Sequence, residues 1–263
     1  ALPISYFAFS SFTTPEAIYG YDFDAGELAV WRQPKVEFDA DAFETRQVFF
    51  QSRDGTRVPM FLAHRNDVKP DGKRPTLLYG YGGFNISMKP YFSATRIPWL
   101  EGGGIYAVAN LRGGGEYGER WHAAGMRAKK QNTFDDFIAA SEALIAEGFT
   151  SPGRLGISGG SNGGLLVAAA MTQRPELYRA VLCTYPDLDM IRFWSFQETN
   201  NMPALLEYGD ARIESHFEAI RGYSPYQAVR DGVDYPAVML TTGDLDTRVP
   251  PLQARKMAAR LQA

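Results

Sequence analysis

One stretch constrains this 263-residue chain more than any other. Leu155-Gly156-Ile157-Ser158 reads as a buried strand, Gly159-Gly160-Ser161-Asn162-Gly163 as a tight bend, and Leu165-Leu166-Val167-Ala168-Ala169-Ala170 as an apolar helix. The bend matches G-x-S-x-G, a strained strand-to-helix turn that raises a serine hydroxyl above the end of a sheet. Glycines two residues to either side let neighbouring backbone approach without Cβ clashes. The amide of the next residue then points at the oxygen of an attacked carbonyl. The bland alternative is a glycine-rich β–α turn with an incidental serine. The strand before it and the helix after it argue for the nucleophile.

The rest of the chain supplies a sheet for that turn to sit on. Gln47–Ser52 and Val58–Ala63 flank Asp54-Gly55, a hairpin signal. Thr76–Tyr79, Ile105–Ala109, Val181–Thr184 and Ala237–Thr242 read as further strands. Helical spacing of Phe134, Phe137, Ile138, Ser141, Leu144 and Ile145 lies between them, with Thr133 able to cap its start and Gly148 its end. A helix is expected from Gly164 through Met171, and a last one from Pro251 through Leu261. Strands alternating with helices predict an α/β fold, mostly parallel, with helices on both faces of the sheet. Residues 1–35 differ. Tyr6–Phe12, Ile18–Phe23 and Glu27–Trp31 read as an antiparallel meander too small to bury a core of its own.

Composition removes several function classes. Lys+Arg 27 against Asp+Glu 30 gives a net charge of −3, so no nucleic-acid or acidic-membrane footprint is expected. The single cysteine, Cys183, lies in an apolar run and reads as a buried small hydrophobe; it allows neither a disulfide framework nor a cysteine-rich metal site. No stretch approaches 18 unbroken apolar residues. There is no HExxH, no CxxC pair and no phosphate loop, so neither metal nor organic cofactor is expected. The first residues lack signal-peptide character, which together with the lack of disulfide chemistry makes a cytoplasmic location the expectation. The chain lacks an initiator Met, so the native N-terminus need not be present.

A serine hydroxyl needs a base, usually a histidine oriented by a carboxylate, in the chain order Ser, acid, His. Asp244 and Asp246 follow a predicted strand and are both candidates for the acid, though either could be a plain loop acid. No histidine follows them. His64 and His216 read as surface residues, and His122 would break the expected order. The expectation is a chain that stops before its histidine; a hydrolase relic without catalysis is the other reading.

Five blocks carry a family resemblance: Leu78–Asn85 (LYGYGGFN), Asn110–Gly118 (NLRGGGEYG), Asn132–Phe137 (NTFDDF), Gly159–Gly164 (GGSNGG) and Asp246–Val249 (DTRV). In that order they resemble the prolyl oligopeptidase family of serine peptidases. The resemblance implies an α/β-hydrolase domain, here residues 36–263, behind a β-propeller that admits only short peptides. Residues 1–35 would be the end of the last propeller blade. Most of the propeller and a C-terminal segment with the histidine would lie outside this sequence. It implies Ser161 as nucleophile and Asp246, rather than Asp244, as triad acid. The Asn162 amide and the Tyr81 hydroxyl would form the oxyanion hole, Phe84 and Tyr208 would line the substrate pocket, and Arg248 would donate to a substrate carbonyl. The alternatives are a core aromatic for Tyr81 and Phe84, and an ion pair with Asp246 or Asp244 for Arg248.

One position departs from the family. A tryptophan that stacks on the substrate proline is expected four residues before Tyr208-Gly209, and Ala204 stands there. The segment Gln197–Pro203 also departs in length, and the place of Trp194 is open. Loss of that flat ring weakens the expected preference for proline. Four functions therefore compete: a proline-preferring oligopeptidase; a related peptidase preferring basic or acylated residues, for which Glu198 and Glu207 are the nearest acids; an esterase; and an inactive binding or regulatory homologue. Asn162 after the nucleophile, where the basic-preferring subfamily has alanine, and the β meander favour the first.

Overall fold

A computed structural model describes residues 3–196 and 202–263. The N-terminal meander forms an antiparallel sheet of β1 (Ile4–Phe9), β2 (Ala17–Asp22) and β3 (Glu27–Arg32), in that order. Asp22 and Gly26 make its second turn. Asp22 Oδ1 accepts from the amides of Asp24 and Ala25, and Gly26 takes φ 68°. All of β1 and β3 is exposed. The anchor is the connection between β1 and β2. The strand expected to run to Phe12 stops at Phe9, because Phe12 turns inward instead. It is fully buried, edge-on to Phe61 at 6.0 Å and Tyr106 at 5.8 Å. Burying such a ring is worth about 1.5–3 kcal/mol. The Ser10 hydroxyl beside it accepts from the Phe92 amide at 3.0 Å.

The remaining strands build one seven-stranded sheet. They are β4 (Phe43–Gln51), β5 (Arg57–Arg65), β6 (Thr76–Tyr79), β7 (Ile105–Ala109), β8 (Leu155–Gly160), β9 (Ala180–Thr184) and β10 (Ala237–Thr241), in the order β10-β9-β8-β6-β7-β5-β4. The five strands β10 to β7 run parallel, and β5 and β4 join antiparallel through the Asp54-Gly55 turn. Helices are α1 (Ile97–Glu101), α2 (Glu119–Ala123), α3 (Gln131–Ala146), α4 (Asn162–Gln173), α5 (Phe193–Phe196), α6 (Met202–Tyr208), α7 (Glu214–Tyr223), α8 (Pro225–Ala228) and α9 (Leu252–Gln262).

Side-chain alternation divides the core between the two faces. Ile105, Ala107 and Ala109 of β7 join Phe134 and Phe137 of α3 and Leu165 and Leu166 of α4. Tyr106 and Val108 of the same strand join Leu100 of α1, Phe43 and Phe12 on the other side. Helices therefore cover both faces, as the α/β reading expected. Helix α4 is buried from Asn162 to Thr172, so the element that carries the bend cannot tilt without opening the core. Gly148 ends α3 with φ 76°, as expected. Thr133 does not cap it: α3 starts at Gln131, and the Thr133 hydroxyl instead donates to the carbonyls of Arg112 and Gly125 at 2.8 and 3.2 Å.

Candidate active site

The loops that follow β6, β8, β9 and β10 carry Tyr81, Ser161, Asp187 and Asp246. In open α/β sheets this carboxyl end of the strands is where ligands bind. Ser161 joins β8 to α4 with φ 57° and ψ −121°, a conformation a side chain rarely adopts. The turn is too tight for anything but glycine around it. A Cβ on Gly159 would lie 2.1 Å from the Gly163 carbonyl oxygen, and one on Gly163 would lie 2.7 Å from that of Gly80. Among the described residues five non-glycines have positive φ: Phe84, Asn85, Arg127, Ser161 and Tyr185. Phe84, Ser161 and Tyr185 line one cleft. Backbone strain of this kind costs about 1–3 kcal/mol per residue and collects at functional sites.

Two donors meet at Ser161. The Tyr81 phenol faces the Ser161 hydroxyl. Burial raises the Tyr81 pKa and the nearby Ser161 hydroxyl opposes the rise, so the phenol stays a neutral donor at pH 7. The Asn162 amide is the first of α4, where helix amides lack intrahelical acceptors. The Asn162 side chain ties the pair together: Nδ2 donates to the Tyr81 carbonyl at 2.5 Å, and Oδ1 accepts from the Tyr208 hydroxyl at 3.0 Å.

The two acid candidates separate. Asp244 is exposed and ion-pairs with Arg255 at 2.7 Å. Asp246 lines the cleft with Ser161, and its Oδ1 accepts from the amides of Arg248 and Val249 at 2.9 Å each. Arg248 lines the same cleft. Phe84 does too, edge-on to Tyr208 at 5.6 Å, and Phe193 meets Tyr208 likewise at 5.6 Å. Tyr208 shows the cleft its ring, while its hydroxyl is spent on Asn162. Ala204 is buried at the cleft wall. Trp194 does not replace the absent indole; it is exposed, with the Arg212 guanidinium 5.3 Å from its ring.

None of the three histidines lines the cleft. His64, expected at the surface, is buried in β5: Nδ1 bonds the Arg65 carbonyl at 2.8 Å and Nε2 faces Glu44 at 3.1 Å. The strand's alternation turns its ring onto Phe149, 6.3 Å away. His216 Nδ1 accepts from the Asp210 amide, and His122 Nε2 meets Glu207 at 2.8 Å. Glu207 is buried too. Its other oxygen accepts from Lys130 Nζ at 2.9 Å, and Lys130 donates as well to the Gly82 carbonyl at 2.9 Å. Glu198 and most of the segment of altered length lie outside the described residues.

Sequence reasoning missed two groups. One is this His122–Glu207–Lys130 chain. The other is Asp187, 5% exposed, whose carboxyl is pushed up to about 7 by burial and by the nearby charge of Asp246. The available signal was an acid in Tyr185-Pro186-Asp187-Leu188, straight after a buried strand. Among the described residues no group of three His, Cys, Asp or Glu is placed to hold a metal ion, and no helix is long and apolar enough to cross a membrane.

Comparison with known proteins decides the family. The profile described as "Prolyl oligopeptidase family" matches residues 90–263. The chain belongs to the prolyl oligopeptidase family. A prolyl endopeptidase of Elizabethkingia miricola is 45% identical over 259 residues, covering 98% of this chain and 36% of that protein. That of Dictyostelium discoideum is 41% identical over 259 residues, covering 97% of the chain and 34% of the relative. A solved prolyl endopeptidase superposes with a TM-score of 0.95 at 52% identity, over 99% of this chain and 38% of its own. A post-proline cleaving enzyme from Rickettsia typhi superposes at 0.93 with 40% identity, over 99% and 37%. The chain thus spans about a third of the length of the relatives it matches, and within that third it has the family's α/β-hydrolase fold.

Proposed function

We propose that this chain is the nucleophile-bearing part of a serine oligopeptidase that hydrolyses short peptides on the carboxyl side of proline. The observation that carries this is the Ser161 hydroxyl, facing the Tyr81 phenol on a strained elbow, in a cleft shared with Asp246. Ser161 Oγ attacks the substrate carbonyl. A histidine from outside this sequence takes the proton and passes it to the leaving amine, with Asp246 holding the imidazole in place. Charge appears on the carbonyl oxygen only in the tetrahedral intermediate, where the Tyr81 hydroxyl and the Asn162 amide receive it. Water then hydrolyses the acyl-enzyme.

The aromatic edges of Phe84, Phe193 and Tyr208 suit a proline ring. Arg248 offers a planar fork to a neighbouring substrate carbonyl. The exposed aromatic sheet of β1 to β3 is read as the end of a propeller blade. The test is hydrolysis by the full-length protein of matched peptides with proline or alanine before the cleaved bond. Faster cleavage after proline supports the reading; no cleavage, or no preference, refutes it.

A further inference from the structure

We propose that Gln253 is a positioning residue of the triad: it ties the loop that carries Asp246 to the loop after β9, and so holds the acid in register with Ser161. The proposal rests on the peptidase reading above and adds to it a residue that does not itself line the cleft.

Two loops meet Ser161 in the cleft. The loop after β9 contributes Tyr185 and Asp187, and the loop after β10 contributes Asp246, Arg248 and Val249. The β10 loop is folded onto itself and onto α9. Asp246 Oδ1 accepts from the amides of Arg248 and Val249, the Asp246 amide donates to the Gly243 carbonyl at 3.1 Å, and Asp244 pairs with Arg255 of α9. A shift of α9 therefore moves the acid. Gln253 lies in the first turn of α9 and is 1% exposed. Its Oε1 accepts from two consecutive amides of the β9 loop, Leu188 at 3.1 Å and Asp189 at 2.8 Å. One turn further on, Lys256 Nζ donates to Asp189 Oδ2.

The β9 loop is in turn anchored at the nucleophile. The Ser161 amide donates to the Thr184 carbonyl at 3.0 Å. The next residue, Tyr185, takes φ 35°, and a Cβ on Gly160 would lie 3.0 Å from its ring. Contacts thus run from Ser161 through the β9 loop and Gln253 to the acid. A buried amide left without an acceptor is costly, so loss of the Gln253 oxygen favours any shift of the two loops that lets water reach Leu188 and Asp189. Gln253 Nε2 has no hydrogen-bond partner among the described residues. The site uses this side chain as an acceptor alone, and a glutamate keeps that acceptor.

The test uses the full-length protein with three substitutions. Gln253→Met fills the volume without an acceptor, and Gln253→Asn has an oxygen that stops one bond short. Gln253→Glu keeps the acceptor but buries a charge beside Asp189. Met257→Ala, a core substitution in the same helix, is the control for lost stability alone. Because a misplacement of about 1 Å can cost about 10² in rate, kcat for a proline peptide should fall by about 10- to 100-fold in Gln253→Met and Gln253→Asn, with KM little changed. It should return close to the wild-type value in Gln253→Glu, although that variant melts lower, and stay there in Met257→Ala. Unchanged kcat in Gln253→Met and Gln253→Asn overturns the proposal. So does a fall that Gln253→Glu does not recover or that Met257→Ala shares, because the rate then follows stability. If Gln253→Met does not fold, Gln253→Asn carries the comparison. Labelling of the wild type by a fluorophosphonate separates the two levels. If Ser161 is labelled and proline peptides are cleaved while the variants keep their kcat, only the role of Gln253 fails. If Ser161 is not labelled, the peptidase reading fails and takes that role with it.

Discussion

The buried ammonium of Lys130 donates to the Gly82 carbonyl at 2.9 Å, one residue from the tyrosine that faces Ser161. Burial pulls the Lys130 pKa down and Glu207 opposes the fall. Lys130→Met leaves one oxygen of the Glu207 carboxylate, the one not facing His122, and the Gly82 carbonyl without their donor. It should cost about 3–5 kcal/mol in denaturant unfolding and lower kcat through a misplaced Tyr81. Lys130→Met combined with Glu207→Leu removes both charges and should recover much of the stability but not the rate.

On the proposed mechanism, Tyr81→Phe removes one of the two donors to the developing oxyanion. In the full-length protein kcat should fall by about 10²–10³ with little change in KM. Tyr208→Phe acts one step back. It leaves Asn162 Oδ1 without the donor it has at 3.0 Å and should cost about 1–3 kcal/mol of stability, with a smaller loss of kcat. Equal effects of the two substitutions on kcat would contradict the assignment.

Ser161 holds φ 57°, which glycine adopts at little cost and alanine does not. Ser161→Gly should therefore be more stable than Ser161→Ala by about 1 kcal/mol, the relief of strain less the entropy glycine gains when unfolded. Both variants should be inactive. Thermal or urea unfolding of the two decides it.

Much of this site was legible in the sequence, because the elbow depends on local chemistry. Gly159 and Gly163 are required by backbone contacts within a few residues and by the β6 loop, and the strand and helix around them announce themselves by composition. Asp246 could be told from Asp244 only by resemblance; in the structure one enters the cleft and the other pairs with Arg255. His64 was misplaced because its burial comes from the pleat of β5 and from Phe149, far away in the chain. The Lys130–Glu207 pair joins residues 77 positions apart, and no local pattern marks either as buried.

Asp187 gives stability a pH dependence of unusual sign. Its carboxyl is raised to about 7 by burial and by Asp246. The folded state therefore binds a proton more tightly than the unfolded chain. This contribution is fully present below the unfolded value near 4 and is lost as pH rises to about 7. Its loss amounts to roughly 3–4 kcal/mol. Asp187→Leu should flatten the fall in stability between pH 4 and 7 and raise stability at pH 8. A decline of the same depth in the variant would show that another group is responsible.

The central claim is that Ser161 is a nucleophile activated in its cleft, and covalent labelling addresses it most directly. The full-length protein is treated with a fluorophosphonate, digested, and mapped by mass spectrometry. The account predicts a single adduct on Ser161, blocked by a competing proline peptide and lost in Ser161→Ala. An adduct on a different residue, or none while the protein hydrolyses peptides, would contradict it.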